Sequence, residues 1–229
     1  MKRLLNYFSK FEIGLWLSSV LIILGTFVVF EEKDYLTLIA SLIGATFLIL
    51  NAKGNPLGQF LTIVFSFIYG VISYRFSYYG EMITYLCMSM PIAFIALISW
   101  IKNPYKGKKS EVKVNHISKK EIVLMWCITI AVTIVFYFIL KHLNTSNLIP
   151  STLSVTTSFL ASYLTFRRSP YFALAYAAND LVLIVLWVLA SFTDNSYLSV
   201  VICFIVFFVN DMYGYVSWKR MEKRQKKNM

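Results

Sequence analysis

Two aspartates interrupt long apolar stretches in the last quarter of the chain. Asp180 lies ten residues into one stretch, and Asp211 lies about two-thirds of the way along the next. An acid at the centre of a membrane helix costs on the order of 2.5–3.5 kcal/mol on insertion scales, so it is retained where partners or water lie beside it. We therefore expect both carboxyl groups to line a hydrated cavity and to contact a ligand.

Aromatic and amide side chains accompany the two acids. At helical spacing, Tyr176 and Trp187 fall on the same stripe as Asp180. Aromatic faces stack on planar rings, and carboxylate or amide oxygens accept hydrogen bonds from hydroxyl or ring N–H groups. The pattern favours a planar, hydroxylated ligand such as a nucleoside. An alternative, that the amides of Asn179 and Asn210 only hold helices together, stays open. The predicted binding residues on these helices are Ala173, Tyr176, Asn179, Asp180, Trp187, Asn210 and Asp211.

Membrane helices must position these residues, because the composition is that of a lipid-embedded protein. The 229 residues are 58% apolar and 14% charged, whereas a soluble domain averages roughly 45–50% and about 25%. Each apolar run is near the ~17–25 residues that span a bilayer, which predicts an all-α integral membrane protein with eight transmembrane helices. The predicted spans are Ile13–Phe30, Tyr35–Leu50, Pro56–Tyr74, Met82–Ile101, Ile122–Leu140, Leu148–Phe166, Pro170–Leu189 and Tyr197–Trp218.

The positive charges predict the topology. With alternate loops assigned to alternate sides, one side carries all of the 22 Lys and Arg residues except Lys33, Arg75 and Lys141. This asymmetry places both termini and the central loop in the cytoplasm. It divides the chain into a first half (1–102), a cytoplasmic loop (103–120), a second half (121–218) and a basic tail (219–229). The charges form short clusters without interleaved aromatics, which argues against nucleic acid as a partner and leaves the lipid bilayer.

The two halves show a weak internal repeat. At an offset of 118 residues, Tyr69 aligns with Trp187 and Trp100 aligns with Trp218. Each half has four spans and so starts and ends on the same side, which makes the repeats parallel and places a substrate between them. We therefore add Tyr69 and Thr62 as first-half binding residues. Two bundles without a shared origin remain an alternative. Trp100 and Trp218 end their helices, which favours a role as anchors at the membrane interface.

Three local patterns follow one another at characteristic distances. The first is Tyr79-Gly80-Glu81 followed by Pro91 and Trp100. The second is Arg168 after the segment Ser158–Ser162, then Asp180 and Trp187. The third is Asn210, Gly214 and Trp218 at four-residue intervals. In this order, the patterns resemble the bacterial PnuC-type transporters, the nicotinamide riboside transporter family. The likeness extends from about Glu12 to Trp218.

The resemblance implies both a fold and a function. The fold would be two parallel three-helix bundles similar to the SWEET sugar transporters, formed by spans two to four and six to eight, with spans one and five as extra helices. The protein would be a facilitator in the bacterial inner membrane that moves a nucleoside-like vitamin or a nucleoside, such as nicotinamide riboside or a deoxyribonucleoside, down its gradient. A cytoplasmic kinase would trap the product by phosphorylation, and no cofactor is implied.

The sequence departs from the family pattern near the predicted site. In nicotinamide riboside transporters the arginine is usually followed by an acid at +3, tryptophans at +5 and +8, and an amide or acid at +12. Arg168 is followed at these positions by Tyr171, Ala173, Tyr176 and Asp180. Loss of an indole stack forfeits on the order of 1–3 kcal/mol, by analogy with nucleic-acid bases. A nucleoside, riboflavin or thiamine therefore becomes an alternative, although Asp180 would also attract the cationic ring of nicotinamide riboside.

Other functional classes remain as alternatives. The chain could be a substrate-capturing membrane subunit that needs an energising partner, and a homo-oligomer is a further arrangement left open. An integral-membrane enzyme is disfavoured, because the sequence has no phosphate-binding glycine loop, HExxH or GxSxG pattern. The three cysteines lie inside apolar runs without a CxxC pattern, so we predict no metal site, no catalytic residue and no cofactor.

Overall fold

The computed structural model describes residues 7–30, 34–75, 78–145, 147–192 and 195–228. Within these ranges the chain forms eight long helices. They are α1 Lys10–Val29, α2 Tyr35–Ala52, α3 Pro56–Arg75, α4 Tyr79–Lys102, α5 Lys119–His142, α6 Leu148–Phe166, α7 Phe172–Ser191 and α8 Leu198–Lys227. The middle of α4 is π-helical over Thr84–Ser89, between α-helical segments Tyr79–Ile83 and Met90–Lys102, and a 3₁₀ turn at Asn195–Tyr197 precedes α8.

Seven of the eight described helices are long and apolar enough to cross a membrane. The exception is α6, because eight of its 19 residues are serine or threonine, which lowers its hydropathy. Several of these hydroxyls bond to carbonyls of their own helix, as Thr152 Oγ1 does to the Leu148 carbonyl at 2.7 Å. The prediction of multiple membrane helices is thus confirmed. Lys2, Arg3 and Lys33, which entered the topology prediction, lie outside the described residues.

Local capping explains where several helices begin. Ser9 and Glu12 form a capping box at the start of α1, since the Ser9 hydroxyl accepts from the Glu12 amide at 3.2 Å and the Glu12 carboxylate accepts from the Ser9 amide at 2.6 Å. Asp34 caps α2 and Ser118 caps α5 by single hydrogen bonds, in which their side-chain oxygens accept from the amides of Leu36 and Glu121. These caps satisfy amides at helix starts that have no carbonyl partner within the helix.

The helices pack in two groups of three, α2–α4 and α6–α8. In each group the middle helix contacts its neighbours, while α1 packs on α2 and α8 and α5 packs on α6. The groups meet where α8 contacts α2 and where α4 contacts α6. Buried apolar and aromatic side chains fill the space between them. We call these sets the first and second helix groups.

The turns that follow α2 and α6 have the same geometry. Each contains a residue in the left-handed region, Gly54 (φ 66°) and Arg168 (φ 55°). In both turns the next amide, of Asn55 or Ser169, donates to the carbonyl five residues earlier at 3.0 Å, and a proline follows. These positions are 114 residues apart, four fewer than the offset that pairs the tryptophans in the sequence. The register that relates the two groups therefore changes between their first and third helices.

The central loop contains a hairpin that the sequence analysis did not predict. Strands β1, Pro104–Tyr105, and β2, Lys108–Val112, pair antiparallel. The turn between them holds Lys106 and Gly107 at positive φ, as short hairpin turns require. At the end of β2, the Val112 amide donates to the carbonyl of Gly54 at 2.9 Å, and three residues later the Asn115 amide donates to that of Arg168 at 3.0 Å. Segment 112–115 thus bridges the ends of α2 and α6.

Helix α8 continues through the predicted tail as far as Lys227. The predicted boundary at residue 218 therefore falls within one helix. The contacts of Gln225, which is 1% exposed, help to explain why the helix continues this far. Its amide accepts from the Val114 amide at 2.9 Å and donates to the Val112 carbonyl at 3.0 Å, so the end of α8 holds the central loop against the helix bundle.

Candidate functional site

A cavity of about 50 Å³ lies between the two helix groups. It receives side chains from α2, α3 and α4 on one side and from α6, α7 and α8 on the other. Five of the predicted binding residues line it: Thr62, Tyr176, Asn179, Asp180 and Asp211. A cavity of this volume holds a few water molecules, since one water molecule requires roughly 10–15 Å³ of such space.

The carboxyl groups of Asp180 and Asp211 lie within hydrogen-bonding distance of each other in this cavity. Each residue is 5% exposed, and Asp180 Oδ2 has no hydrogen-bond partner among the described residues. None of the described residues that line the cavity is Lys, Arg or His. The acids of α7 and α8 therefore meet each other inside the protein, with no basic side chain among the described residues of the cavity lining.

Hydroxyl groups of α6 orient the amide of Asn179. Its Oδ1 accepts from Thr157 Oγ1 at 2.7 Å and from Ser158 Oγ at 3.0 Å. With the oxygen occupied, the NH₂ group is the part of this amide left to donate to a ligand. The Tyr176 hydroxyl lies 3.4 Å from Ser162 Oγ, which places a phenol ring and a hydroxyl group in the same wall.

A polar network completes the cavity on the side of the first helix group. Gln59 Nε2 donates to Asn51 Oδ1 at 2.9 Å, and Asn51 Nδ2 donates to Thr62 Oγ1 at 3.4 Å. Asn51 and Ser66 line the cavity, but the sequence analysis did not name either. An offset of 114, read from the two turns before prolines, would have aligned Ser66 with Asp180 and so identified it.

Tyr69 and Trp187 lie at a second, smaller cavity of about 20 Å³. Trp187 Nε1 donates to the Tyr69 hydroxyl at 3.0 Å, which joins α7 to α3. Phe65, Phe204 and Phe207 line both cavities. These three rings, which we call the aromatic septum, separate the acid pair from the Tyr69–Trp187 pair.

Two predicted binding residues lie away from both cavities. Asn210 Nδ2 donates to Ser19 Oγ of α1 at 2.9 Å and to the Val206 carbonyl at 2.8 Å. Ala173 is fully buried, and it faces Gly214 so closely that a methyl group built on that glycine would lie 3.4 Å from the Ala173 methyl. Both residues therefore act in helix packing in this structure.

The two helix-end tryptophans connect the helix groups instead of anchoring them at the membrane surface. Trp100 Nε1 donates to the Thr165 carbonyl at 2.9 Å, and Trp218 Nε1 donates to the Asn51 carbonyl at 2.7 Å. Each bond runs from the third helix of one group to the first helix of the other. Both indoles are fully buried and their rings lie 5.4 Å apart.

Arg168 of the second sequence pattern lies in the loop layer beyond the helices. Its Nη1 donates to Ser99 Oγ at 2.7 Å and its Nε donates to the Lys113 carbonyl at 3.2 Å. Burial, with a smaller contribution from Arg167, lowers the pKa of Arg168, but a guanidinium remains protonated at neutral pH. Arg168 thus ties the end of α4 and the central loop to the turn after α6.

Comparison with known proteins identifies the family of this chain. The family model described as nicotinamide mononucleotide transporter matches residues 34–220. A nicotinamide riboside transporter PnuC of Neisseria mucosa is 24% identical over 97% of this chain and 86% of its own length. The PnuC of Haemophilus influenzae is 24% identical over 94% of this chain and 92% of its own length.

A solved structure shares the fold. The crystal structure of the vitamin B3 transporter PnuC superimposes with a TM-score of 0.82 at 25% identity, and the match covers 95% of this chain and 94% of that one. The resemblance predicted from the three sequence patterns is therefore confirmed. The relatives are named as transporters, which agrees with the prediction that this chain is not an enzyme. With its multiple membrane helices, this chain belongs to the nicotinamide mononucleotide transporter family of bacterial membrane transporters.

Proposed function

We propose that this protein is a facilitator for a nucleoside-like vitamin or a nucleoside, with nicotinamide riboside as the first candidate and a deoxyribonucleoside as the second. The observation that carries the proposal is the cavity between the helix groups, which holds an acid pair and polar side chains from both halves. The relatives' names supply the candidate ligand. The wall of Tyr176, Asn179 and Thr62 offers the ring and the hydrogen-bonding groups that such a ligand requires.

The binding residues in this proposal are those that face the cavity. Asp180 and Asp211 would accept hydrogen bonds or meet a positive ring, Asn179 would donate through its amide, and Tyr176 would pack on the ring. Thr62 would contact the ligand from the first helix group. Tyr69 and Trp187 would form the wall that the ligand meets beyond the aromatic septum. Asn210 and Ala173 are left out because of their packing roles.

Transport requires the helix groups to move. A pocket for a ligand of this size measures roughly 300–1,000 Å³, whereas the cavity is about 50 Å³, so the cavity must widen to admit such a ligand. We infer that the two groups are parallel repeats, as in the SWEET proteins, and rock against each other around the cavity. The matching turns after α2 and α6 and the crossed tryptophan hydrogen bonds support this inference.

The orientation follows from the basic end of the molecule. The central loop contacts the turns after α2 and α6 and the end of α8, so these parts lie at one end of the bundle. Lysine and arginine residues are concentrated in the same segments. We propose that all eight helices span the bacterial inner membrane with this end and both termini in the cytoplasm. A cytoplasmic kinase would then retain the imported ligand by phosphorylation.

Uptake by purified protein in liposomes tests this function. We expect labelled nicotinamide riboside, or failing that a labelled deoxyribonucleoside, to equilibrate without ATP and to emerge unmodified. Asp180→Asn should reduce uptake at least tenfold, whereas Asp34→Asn, the same change at the cap of α2, should leave it unchanged. Binding without uptake would instead favour a capturing subunit that needs an energising partner, and chemical conversion would favour an enzyme.

A further inference from the structure

Among the described residues that line the cavity, none is a basic side chain that could serve as a countercharge to the acid pair of Asp180 and Asp211. The cavity lining contributed by α2, α3 and α6 is neutral, with Asn51, Thr62 and Ser158 among its polar groups. The described titratable groups close to the pair on the remaining helices are a carboxylic acid, two phenols and a thiol, all of which are neutral or negative. These groups are Tyr85 and, beyond it, Glu81 on α4, Tyr176 on α7 and Cys203 on α8.

Two carboxyl groups in contact inside a protein do not both ionise, because like charges repel strongly where water is scarce. A buried charge without a partner also costs several kcal/mol. The empty pair of Asp180 and Asp211 therefore retains at least one proton. Asp180 Oδ2, which is buried and free of hydrogen bonds among the described residues, is the atom open to an arriving positive group.

We propose that the Asp180–Asp211 pair binds an organic monocation in exchange for one proton. This inference rests on the proposed function, since it assumes that the cavity is the substrate site. The proton leaves one carboxyl group for bulk water as the positively charged ring enters, and no covalent bond other than that O–H bond is broken. The net charge of the site is then the same when loaded and when empty, which avoids creating an uncompensated charge in the membrane.

The exchange has a defined dependence on pH. Protons and the cation compete for the same oxygens, so affinity for the cation falls about tenfold for each unit that the pH is lowered while one proton is displaced per cation. An uncharged ligand of the same shape displaces no proton and shows no such dependence. In liposomes with the same pH on both sides, uptake of the cation at low concentration should slow as that pH is lowered, and a membrane potential should leave the uptake unchanged.

Calorimetric titration of the full-length purified protein tests the exchange directly. The probes are nicotinamide riboside, which carries a positive pyridinium ring, and its uncharged dihydro form. Measured at pH 7 in phosphate and in Tris, which differ in ionisation enthalpy, the heats give the number of protons released. We expect about one proton per bound cation and none for the dihydro form. Binding of the cation without proton release would overturn the exchange and leave the proposed function intact.

A double variant locates the released proton. Asp180→Asn with Asp211→Asn removes both titrating groups while keeping their shape, and the thermal unfolding midpoint reports whether the variant is folded. We expect the folded variant to bind the cation at least tenfold more weakly and to release no proton, while Asp34→Asn still releases about one. Proton release that persists in the double variant would refute the assignment to this pair. Failure of the wild-type protein to bind either probe would instead remove the proposed substrate class, and the exchange with it.

Discussion

Replacing Trp218 by phenylalanine should loosen the end of the molecule at which the tryptophans cross. The change removes the indole N–H that donates to the Asn51 carbonyl at 2.7 Å. A phenyl ring keeps most of the contact with Trp100 and with Phe172, whose centroids lie 5.4 and 4.9 Å from that of Trp218. The main loss is therefore one buried hydrogen bond between the first and second helix groups.

The expected magnitude follows from the burial of both partners. Trp218 is fully buried and Asn51 is 4% exposed, so the carbonyl loses its indole donor without gaining water. The Asn51 carbonyl keeps the hydrogen bond from the Gly54 amide at 2.9 Å, so the cost is that of one lost hydrogen bond, about 0.5–1.5 kcal/mol. Because the cost falls on the closed arrangement, opening of this end should become roughly 2- to 13-fold more favourable.

Thiol labelling measures the opening. Ser158, which lines the cavity, is replaced by cysteine (Ser158→Cys) in a variant that lacks the three native cysteines. A charged methanethiosulfonate reagent is then added from the side of the central loop. Trp218→Phe should label about 2- to 13-fold faster, and Trp100→Phe, which removes the bond to Thr165, should act in the same direction. Equal rates in the variant and the parent protein would refute the reasoning.

A matched control separates opening from general loss of stability. Trp16 Nε1 donates to Thr46 Oγ1 at 3.2 Å, which joins α1 to α2 and does not cross between the helix groups. Trp16→Phe therefore removes the same kind of donor elsewhere. It should lower the thermal midpoint slightly and leave the labelling rate at its parental value. Faster labelling in this control as well would show that the assay detects destabilisation only.

Further variants test the packing around the site. Gly44→Ala should lower stability by about 1–3 kcal/mol and alter transport, because the added methyl group would overlap the Phe207 ring of the aromatic septum; unchanged denaturant midpoints and uptake would contradict this. Ala173→Trp should lower the thermal midpoint without raising affinity for nicotinamide riboside, since Ala173 is fully buried against Gly214; tighter binding by calorimetry would show that this position faces the ligand. Gln225→Ala should make the central loop more sensitive to limited proteolysis, because three hydrogen bonds are lost; an unchanged cleavage rate would show that these bonds do not hold the loop against the bundle.

The helices were predictable from the sequence because apolar length is a strong signal in a membrane protein. The predicted span Tyr35–Leu50 and the observed helix Tyr35–Ala52 differ by two residues. Hydropathy is weakest at α6, where hydroxyl groups serve both the helix and Asn179. Without those contacts, the sequence alone does not show whether a serine-rich helix crosses the membrane or is too polar to do so.

The site was predictable in part. Acidic residues within apolar segments are conspicuous because burying a carboxyl group costs free energy. Asp180 and Asp211 line the same cavity. Asn51 was missed because its amide lies at the end of a helix, where polar residues are ordinary. Ser66 was missed because an offset of 118 aligns Thr62, and not Ser66, with Asp180. Asn210 was included because its bond to Ser19 of α1 depends on tertiary packing, which the sequence does not show.

The segment from Val112 to Asn115 sets a geometric limit on how far the two halves travel. Its ends are bonded to the carbonyls of Gly54 and Arg168, and three residue steps of extended chain reach only about 10–11 Å. If both hydrogen bonds persist, the ends of α2 and α6 stay within that distance of each other, and the two helix groups pivot at this end. The largest displacement then occurs at the opposite end of the bundle. Access to the loop side then requires one bond to release, and a cut in this short tether would free that motion without separating the halves.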